Sequence, residues 1–117
     1  MAFHEDFMPE FQIYSERVQD AIFARAGLLE REGPNLARPQ ADQLDGSAFA
    51  NMKELRFRVD DGVWRVAFAF DPERAAILLA AGDKAGQNQA RFYGRLIRTA
   101  DARFRGHLDR LGKRTKR

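Results

Sequence analysis

The chain has 117 residues, of which 44% are hydrophobic and ten are Phe, and it contains no Cys. That length and apolar content fit one folded domain over residues 1–117 with a single core. The absence of Cys excludes disulfides and thiol chemistry, and two His residues far apart in sequence predict no metal site and no cofactor. No apolar run approaches the ~20 residues of a membrane span, and the N-terminus does not resemble a signal peptide, so a cytoplasmic protein is expected.

The net charge of +3 is unevenly distributed along the chain. Residues 1–46 carry 4 basic and 9 acidic side chains, residues 47–83 carry 5 and 6, and residues 84–117 carry 11 and 2. A strongly basic C-terminal third suggests a polyanionic partner, most simply nucleic acid. The alternative is a solvated helix face with a solubilising tail.

The N-terminal part, residues 1–34, is predicted to be helical. One apolar face recurs mostly at steps of three or four or at sums of these: Phe7, Phe11, Tyr14, Val18, Ile22 and Leu29. We predict a short helix over 5–13 and a longer one over 16–32, with Ser15 as the N-cap of the second. Gly33–Pro34 is a strong stop signal.

Residues 51–84 are predicted to form three strands, after an extended connection over 35–50. The first strand alternates apolar with charged side chains, Leu55, Phe57 and Val59 against Glu54, Arg56 and Arg58. The second sets Trp64, Val66, Phe68 and Phe70 against Val63, Arg65, Ala67 and Ala69. Since successive strand residues point to opposite faces, we expect the arginines on an open sheet face, where loss of Arg65 would change stability by no more than about 0.5 kcal/mol.

Turn residues separate these strands. Asp60-Asp61-Gly62 is a hairpin signal, and Asp71-Pro72 ends the second strand. The apolar run 75–81 (AAILLAA) fits either a helix or a strand by periodicity, but its shortness and the following Gly82 favour a central strand.

The C-terminal part is predicted to be a helix over 88–111, followed by a frayed basic tail over 112–117. A second apolar stripe at steps of three or four supports it: Phe92, Leu96, Ala100, Phe104, Leu108 and Leu111.

The order and spacing of short segments resemble the RelE/ParE toxin superfamily, and within it the HigB-type, phage-related toxins of type II toxin–antitoxin modules. In chain order these are Glu32-Gly33-Pro34, Arg38-Pro39, Leu44-Asp45-Gly46-Ser47, 51–56 (NMKELR), Trp64-Arg65-Val66, 68–72 (FAFDP), Gly82-Asp83-Lys84, Phe92-Tyr93, Ala100-Asp101 and His107-Leu108. The resemblance as a whole covers roughly residues 4–111. Members usually open with a full β-strand, whereas only Met1-Ala2-Phe3 precedes the helical region here, which implies a very short first strand or a start that lies upstream.

The resemblance implies an α+β fold like that of RelE: a small antiparallel sheet, two N-terminal helices packed on one face, and a C-terminal helix. It also implies a toxin that cleaves mRNA in the ribosomal A site and is held inactive by a cognate helix-turn-helix antitoxin. The partners are then the antitoxin, the ribosome and mRNA, with no membrane. Members of this fold use no metal and promote attack of a ribose 2′-OH on the adjacent phosphate, which requires a base, cations and an acid.

Candidate site residues follow from the resemblance. The catalytic candidates are Arg65, Arg56, Lys53, Lys84 and Tyr93, and the RNA-binding candidates are Arg58, Arg74, Arg91 and Arg95. Arg65 is the sharpest of them, because its small neighbours Ala67 and Ala69 leave room for a phosphate. The alternative for Arg65 is a surface salt bridge, which is worth little energetically.

The other candidates have alternatives too. Arg56 could be a solvent arginine paired with Glu54 or Glu73, and Lys53 shares the alternation of Leu55, which would point it toward the core. Glu54 itself could be a general base or could orient a basic neighbour.

Lys84 could be an exposed turn lysine, and Tyr93 a core aromatic of the last helix. His107 fits a helix-surface histidine better than an active-site one.

Two functional alternatives remain open at this point. One is a ParE-like inhibitor that poisons DNA gyrase and cleaves nothing, since a shared fold does not fix function. The other is a non-catalytic nucleic-acid-binding protein that acts only in a repressor complex.

Overall fold

A five-stranded mixed sheet organises the part of the chain that the computed structural model describes, residues 1–115. Its strands are β1 (Ala2–Phe3), β2 (Ala41–Gln43), β3 (Lys53–Val59), β4 (Gly62–Phe70) and β5 (Ala76–Asp83), in the spatial order β1-β5-β4-β3-β2. Neighbours among β2 to β5 pair antiparallel, whereas β1 pairs parallel with β5. The expectation of a small antiparallel sheet is therefore wrong, because short segments on either side of the three predicted strands add an edge strand at each margin.

The helices are α1 (Met8–Gln12), α2 (Glu16–Glu32) and α3 (Gln89–Thr115), and a 3-10 turn at Gly33–Asn35 follows α2. Ser15 caps α2, since its Oγ accepts the amide of Val18, and Gly33 adopts φ +60° at the helix end. α3 continues beyond the predicted end at 111, and residues 116–117 of the predicted tail lie outside the described residues. Within 1–115, no helix has the length and apolarity needed to cross a membrane.

One face of the sheet carries the first core. The predicted apolar faces of β3 and β4 point into it, with Leu55, Phe57, Val66 and Phe68 all buried. The apolar stripe of the N-terminal helices meets them there: Phe7, Phe11, Val18, Ile22, Ala26 and Leu29. The alternation of β3 and β4 thus predicts this face correctly.

α3 packs against the opposite face, which the sequence predicted to be open. Its apolar stripe joins small and aliphatic strand residues in a second core: Ala67, Ala69, Ile77 and Leu79 with Phe92, Leu96, Ala100 and Phe104. As a result Glu54 and Arg65 are each only 6% exposed. The prediction that Arg65 is displayed to solvent is wrong, because the amphipathic α3 needs an apolar surface and the small residues of β4 provide it.

Two polar contacts fix α3 in place. The Arg103 guanidinium forms an ion pair with the Glu10 carboxylate of α1, in which Nη2 donates to Oε2 at 2.6 Å. Arg103 Nη1 also donates to the Leu79 carbonyl at 2.9 Å. Asp101 accepts the Ala48 amide at 2.8 Å and the Ser47 hydroxyl, which ties the loop before β3 to α3. These contacts set the position of the helix that bounds the cleft described next.

Candidate active site

A cleft opens where the first turn of α3 leaves the β2–β3 side of the sheet uncovered. It has a volume of about 610 Å³ and is lined by Arg38, Asp42, Gln43, Leu44, Asp45, Glu54, Arg56, Lys84, Gln89, Ala90 and Tyr93. An adjoining cleft of about 410 Å³ shares Arg38 and Arg56 with it and is also lined by Arg58 and Arg65. The adjoining cleft is lined by four arginines and no acidic residue, which favours binding of a polyanion, whereas the first cleft has three basic and three acidic side chains in its lining.

Tyr93 links two buried charges on the floor of the cleft. Its hydroxyl donates to Glu54 Oε1 at 2.9 Å and accepts from Arg65 Nε at 3.1 Å. Arg65 Nε also lies 3.5 Å from the same Glu54 oxygen, and Arg65 Nη1 donates to the Trp64 carbonyl. The three side chains come from β3, β4 and α3, so the network exists only in the folded domain.

Burial sets the protonation behaviour of this network. Loss of hydration raises the pKa of Glu54 above its ordinary value, although the hydrogen bond from Tyr93 and the charges of Arg65 and Arg56 oppose the rise. Burial also raises the pKa of Tyr93. Glu54 is therefore a stronger base than an exposed glutamate, and the Tyr93 phenol stays protonated.

Lys84 lies at the turn between β5 and α3, on the wall of the same cleft. Its Nζ stands over the Tyr93 ring, 5.9 Å from the centroid. Partial burial and the charges of Arg65 and Arg56 lower the pKa of Lys84. A lysine with a lowered pKa gives up its proton more readily, as a general acid must.

Asp42 of β2 pairs with two arginines at the mouth of the cleft, Arg38 and Arg56. Its Oδ2 accepts from Arg38 Nε at 2.8 Å and lies 3.5 Å from Arg56 Nη1. No role was predicted for Arg38, Asp42 or Gln89, which all line this cleft. The Arg38-Pro39 pair was visible, but β2 was not predicted, so no pattern placed residues 38–43 beside Arg56.

The remaining predicted site residues lie elsewhere. Lys53 points to the opposite side of the sheet, as its alternation indicated, and its Nζ donates to the Pro34 carbonyl at 2.9 Å. Arg74 is exposed in the turn after β4 with φ +65°, away from the cleft. Arg91 and Arg95 are exposed on α3 and border a separate shallow depression.

His107 is half-buried and bonds the buried Asp71 carboxylate at 2.8 Å, far along α3 from the cleft. Among residues 1–115, no group of three or more His, Asp and Glu side chains is arranged to hold a metal ion.

The small α+β domain thus brings two arginines, a lysine, a tyrosine and a buried carboxylate together in one cleft. The chain belongs to the phage-derived Gp49-like family (DUF891), whose model matches residues 9–105. This match confirms the phage-related part of the resemblance, while membership of the RelE/ParE superfamily stays a prediction.

Two curated relatives come from Mycobacterium tuberculosis (strain ATCC 25618 / H37Rv). One, named "Putative toxin HigB2", is 45% identical over 103 residues, which cover 84% of this chain and 51% of that protein. The other, named "Putative toxin HigB3", is 54% identical over 93 residues, which cover 77% of this chain and 79% of that protein. The chain thus spans about half the length of the first relative. No solved structure shows a significant match.

Proposed function

We propose that this protein is the toxin of a type II toxin–antitoxin module and that it cleaves mRNA on the ribosome. The family and the relatives named as HigB toxins support the module assignment. The observation that carries the nuclease proposal is the Arg65–Tyr93–Glu54 network, whose Tyr93 and Glu54 line the same cleft as Arg56 and Lys84, with Arg65 in the adjoining cleft.

Glu54 is proposed as the general base. It takes the proton of a ribose 2′-OH, and the oxygen attacks the adjacent phosphorus. The bond from phosphorus to the 5′ oxygen of the next nucleotide then breaks, which leaves a 2′,3′-cyclic phosphate and a 5′-OH. Burial favours this role because it raises the pKa of Glu54 toward the working pH.

Lys84 is proposed as the general acid that protonates the leaving 5′ oxygen. Its lowered pKa makes the Lys84 ammonium a stronger acid than an exposed lysine, which favours transfer of its proton to the leaving oxygen. Arg56 and Arg65 would stabilise the charge that develops on the phosphoryl oxygens. Tyr93 holds the base in place, and its raised pKa makes it a weaker acid than an exposed tyrosine.

The cleft is wide and open, so the domain alone offers little to align a flexible RNA strand. Positioning of the reacting atoms supplies a large part of the rate in such reactions. We therefore propose the ribosome as the partner that presents mRNA, a cytoplasmic site of action, and a helix-turn-helix antitoxin as the partner that restrains it.

Induced expression in a bacterium, with mapping of mRNA 5′ ends, tests this proposal. The wild type is expected to arrest growth and to generate new 5′ ends within translated frames, whereas Arg56→Ala does neither. Arg17→Ala is the matched control, because Arg17 is an exposed arginine that pairs with Asp60 away from the cleft. Arrest without new 5′ ends, accompanied by loss of gyrase supercoiling activity, would instead identify a ParE-like inhibitor.

A further inference from the structure

The Asp42 carboxylate lies between two arginines that line both clefts, Arg38 and Arg56. Its Oδ2 lies 2.8 Å from Arg38 Nε and 2.6 Å from Arg38 Nη2. The same oxygen lies 3.5 Å from Arg56 Nη1. One carboxylate oxygen thus joins two guanidinium groups where the two clefts meet.

This arrangement is one that arginine makes with phosphates as well as with carboxylates. The N–H groups along the edge of a guanidinium match the oxygen atoms of either anion. The hydrogen bonds from Arg38 and from the Gln43 amide lower the pKa of Asp42, so its side chain is an anion at neutral pH. The Asp42 oxygen therefore marks a position that an oxygen of a bound phosphate could occupy.

The contacts of Asp42 with the two arginines are weak enough to be exchanged. The side chain of Arg38 is 74% exposed, and ion pairs in such exposed positions contribute little stability. The contact with Arg56 is longer than an ordinary hydrogen bond, so Arg56 can turn to another anion at little cost. A phosphate that enters the cleft can therefore replace the carboxylate.

The neighbouring side chains favour a ligand with several negative charges. The adjoining cleft is lined by Arg58 and Arg65 in addition to the shared pair, and by no acidic residue of the described chain. Arg65 is only 6% exposed, so part of this positive charge is shielded from water. A row of cations of this kind fits a phosphodiester strand better than a single carboxylate.

We propose that Asp42 is an internal competitor of the substrate, which occupies the position of an RNA phosphate between Arg38 and Arg56 and is displaced when RNA binds. This inference rests on the proposed function, which supplies RNA as the polyanion. Arg38 is then a further RNA-binding residue. Asp42 weakens the binding of free RNA, which favours strands that another partner has already positioned.

The test measures binding of a short, single-stranded 2′-O-methyl RNA, which has no free 2′-OH and so cannot be cleaved by the proposed reaction. Fluorescence anisotropy at low salt should show that Asp42→Asn binds this RNA roughly three- to tenfold more tightly than the wild type. Asp45→Asn is the matched control, because Asp45 is exposed in the lining of the same cleft, whereas Arg38 and Arg56 pair with Asp42. Its affinity should stay within about twofold of the wild type.

A second pair of variants separates displacement from general charge repulsion. If Asp42 acts through the arginines, the gain from Asp42→Asn should shrink to about twofold when it is added to Arg38→Ala. Arg38→Ala alone should bind the RNA more weakly than the wild type. A gain of equal size with and without Arg38, or an equal gain from Asp45→Asn, would reduce Asp42 to a source of repulsion and overturn the proposal.

Equal or weaker RNA binding by Asp42→Asn, or no binding by either protein, would also overturn it. If the wild type still cleaved mRNA on ribosomes, the proposed function would stand without this competitor. Tighter binding by Asp42→Asn, with no cleavage by the wild type, would keep the phosphate position and overturn the nuclease instead.

Discussion

Tyr93 of α3 and Glu54 of β3 are joined by a hydrogen bond of 2.9 Å that closes the floor of the cleft. The same hydroxyl accepts from Arg65, so one oxygen atom connects the last helix to two strands. This contact explains why residues distant in sequence act as one group. It also explains why a change to any of the three should affect both stability and activity.

Tyr93→Phe should lower stability by about 1–3 kcal/mol, because it leaves Arg65 and Glu54 each short of a buried partner. Cleavage should fall as well, since the Glu54 carboxylate loses the contact that orients it. Thermal melts and ribosome-bound mRNA cleavage measure the two effects. Tyr14→Phe is the control, since Tyr14 packs on Trp64 on the other face of the sheet, and its cleavage rate should equal the wild-type rate.

Arg65→Ala should destabilise the fold by about 3–5 kcal/mol, because it leaves the buried Glu54 carboxylate without its cation. This value replaces the near-zero effect expected for an exposed arginine. Combining Arg65→Met with Glu54→Gln should recover much of the lost stability, since no charge is then left unpaired. If urea unfolding showed Arg65→Ala to be as stable as the wild type, the buried network would be wrong.

Phe68→Ala should cost about 3–5 kcal/mol through cavity formation, because Phe68 is fully enclosed by the first core. Its effect on cleavage should follow the fraction of folded protein and nothing else. Cleavage assayed below the melting temperature of the variant separates loss of folded protein from a direct loss of activity. A folded Phe68→Ala protein without activity would show that the cleft depends on this core more closely than the contacts suggest.

Arg56→Ala should act in the opposite sense to Phe68→Ala. Arg56 is half-exposed, and its ion pair with Asp42 is long at 3.5 Å, so stability should change by no more than about 0.5 kcal/mol. Loss of one preorganised contact to the transition state should lower the cleavage rate by about 10²–10³. Unchanged cleavage by this variant would remove Arg56 from the site.

Asp71 predicts a stability difference that depends on pH. Burial alone would raise its pKa, but the hydrogen bond from His107 and the amides of Ala75 and Glu73 bring the pKa below its ordinary value of 3.8. A carboxyl with a lowered folded pKa stabilises the protein above its unfolded pKa and loses that effect as pH falls through the folded value.

Asp71→Asn should therefore be about 1–3 kcal/mol less stable than the wild type at neutral pH. The gap should narrow as the pH falls below the ordinary value of 3.8, where the carboxyl of the unfolded chain takes up a proton, and the charge contribution should be gone once the pH has passed the lowered pKa of the folded protein. Urea unfolding of both proteins across that range measures it. A gap that stayed constant with pH would show that the Asp71 charge has no part in the stabilisation.

The sequence predicts one side of this sheet well and the other poorly. The alternation of Leu55 and Phe57 with charged residues locates the first core, because a strand residue has only two directions to face. The prediction that the opposite face is open was wrong, and the continuous apolar run over 75–81 already argued against it. Strands that are apolar at every position are typically covered on both sides.

The candidate site could be predicted only in part, because it depends on contacts between segments that are distant in sequence. Arg65, Arg56, Lys84 and Tyr93 were candidates from the sequence; Arg56, Lys84 and Tyr93 line one cleft, and Arg65 lines the adjoining cleft that shares Arg56 with it. The three-residue β2 carries too little pattern to be predicted, so the position of Asp42 could not be predicted, whereas the two-residue β1 agrees with the very short first strand that the resemblance allowed. The pairing of Tyr93 with Glu54 depends on how α3 lies across the sheet, which periodicity alone does not give.

The most direct test of the account is cleavage of mRNA on purified, programmed ribosomes by the wild type and by Glu54→Gln. Glutamine keeps the shape of the side chain and can still accept from Tyr93, but it cannot take up the 2′-OH proton. The account predicts 2′,3′-cyclic phosphate and 5′-OH ends from the wild type, and a rate about 10²–10⁴ lower for a folded Glu54→Gln protein. Wild-type rates from that variant, or products with 3′-OH and 5′-phosphate ends, would contradict it.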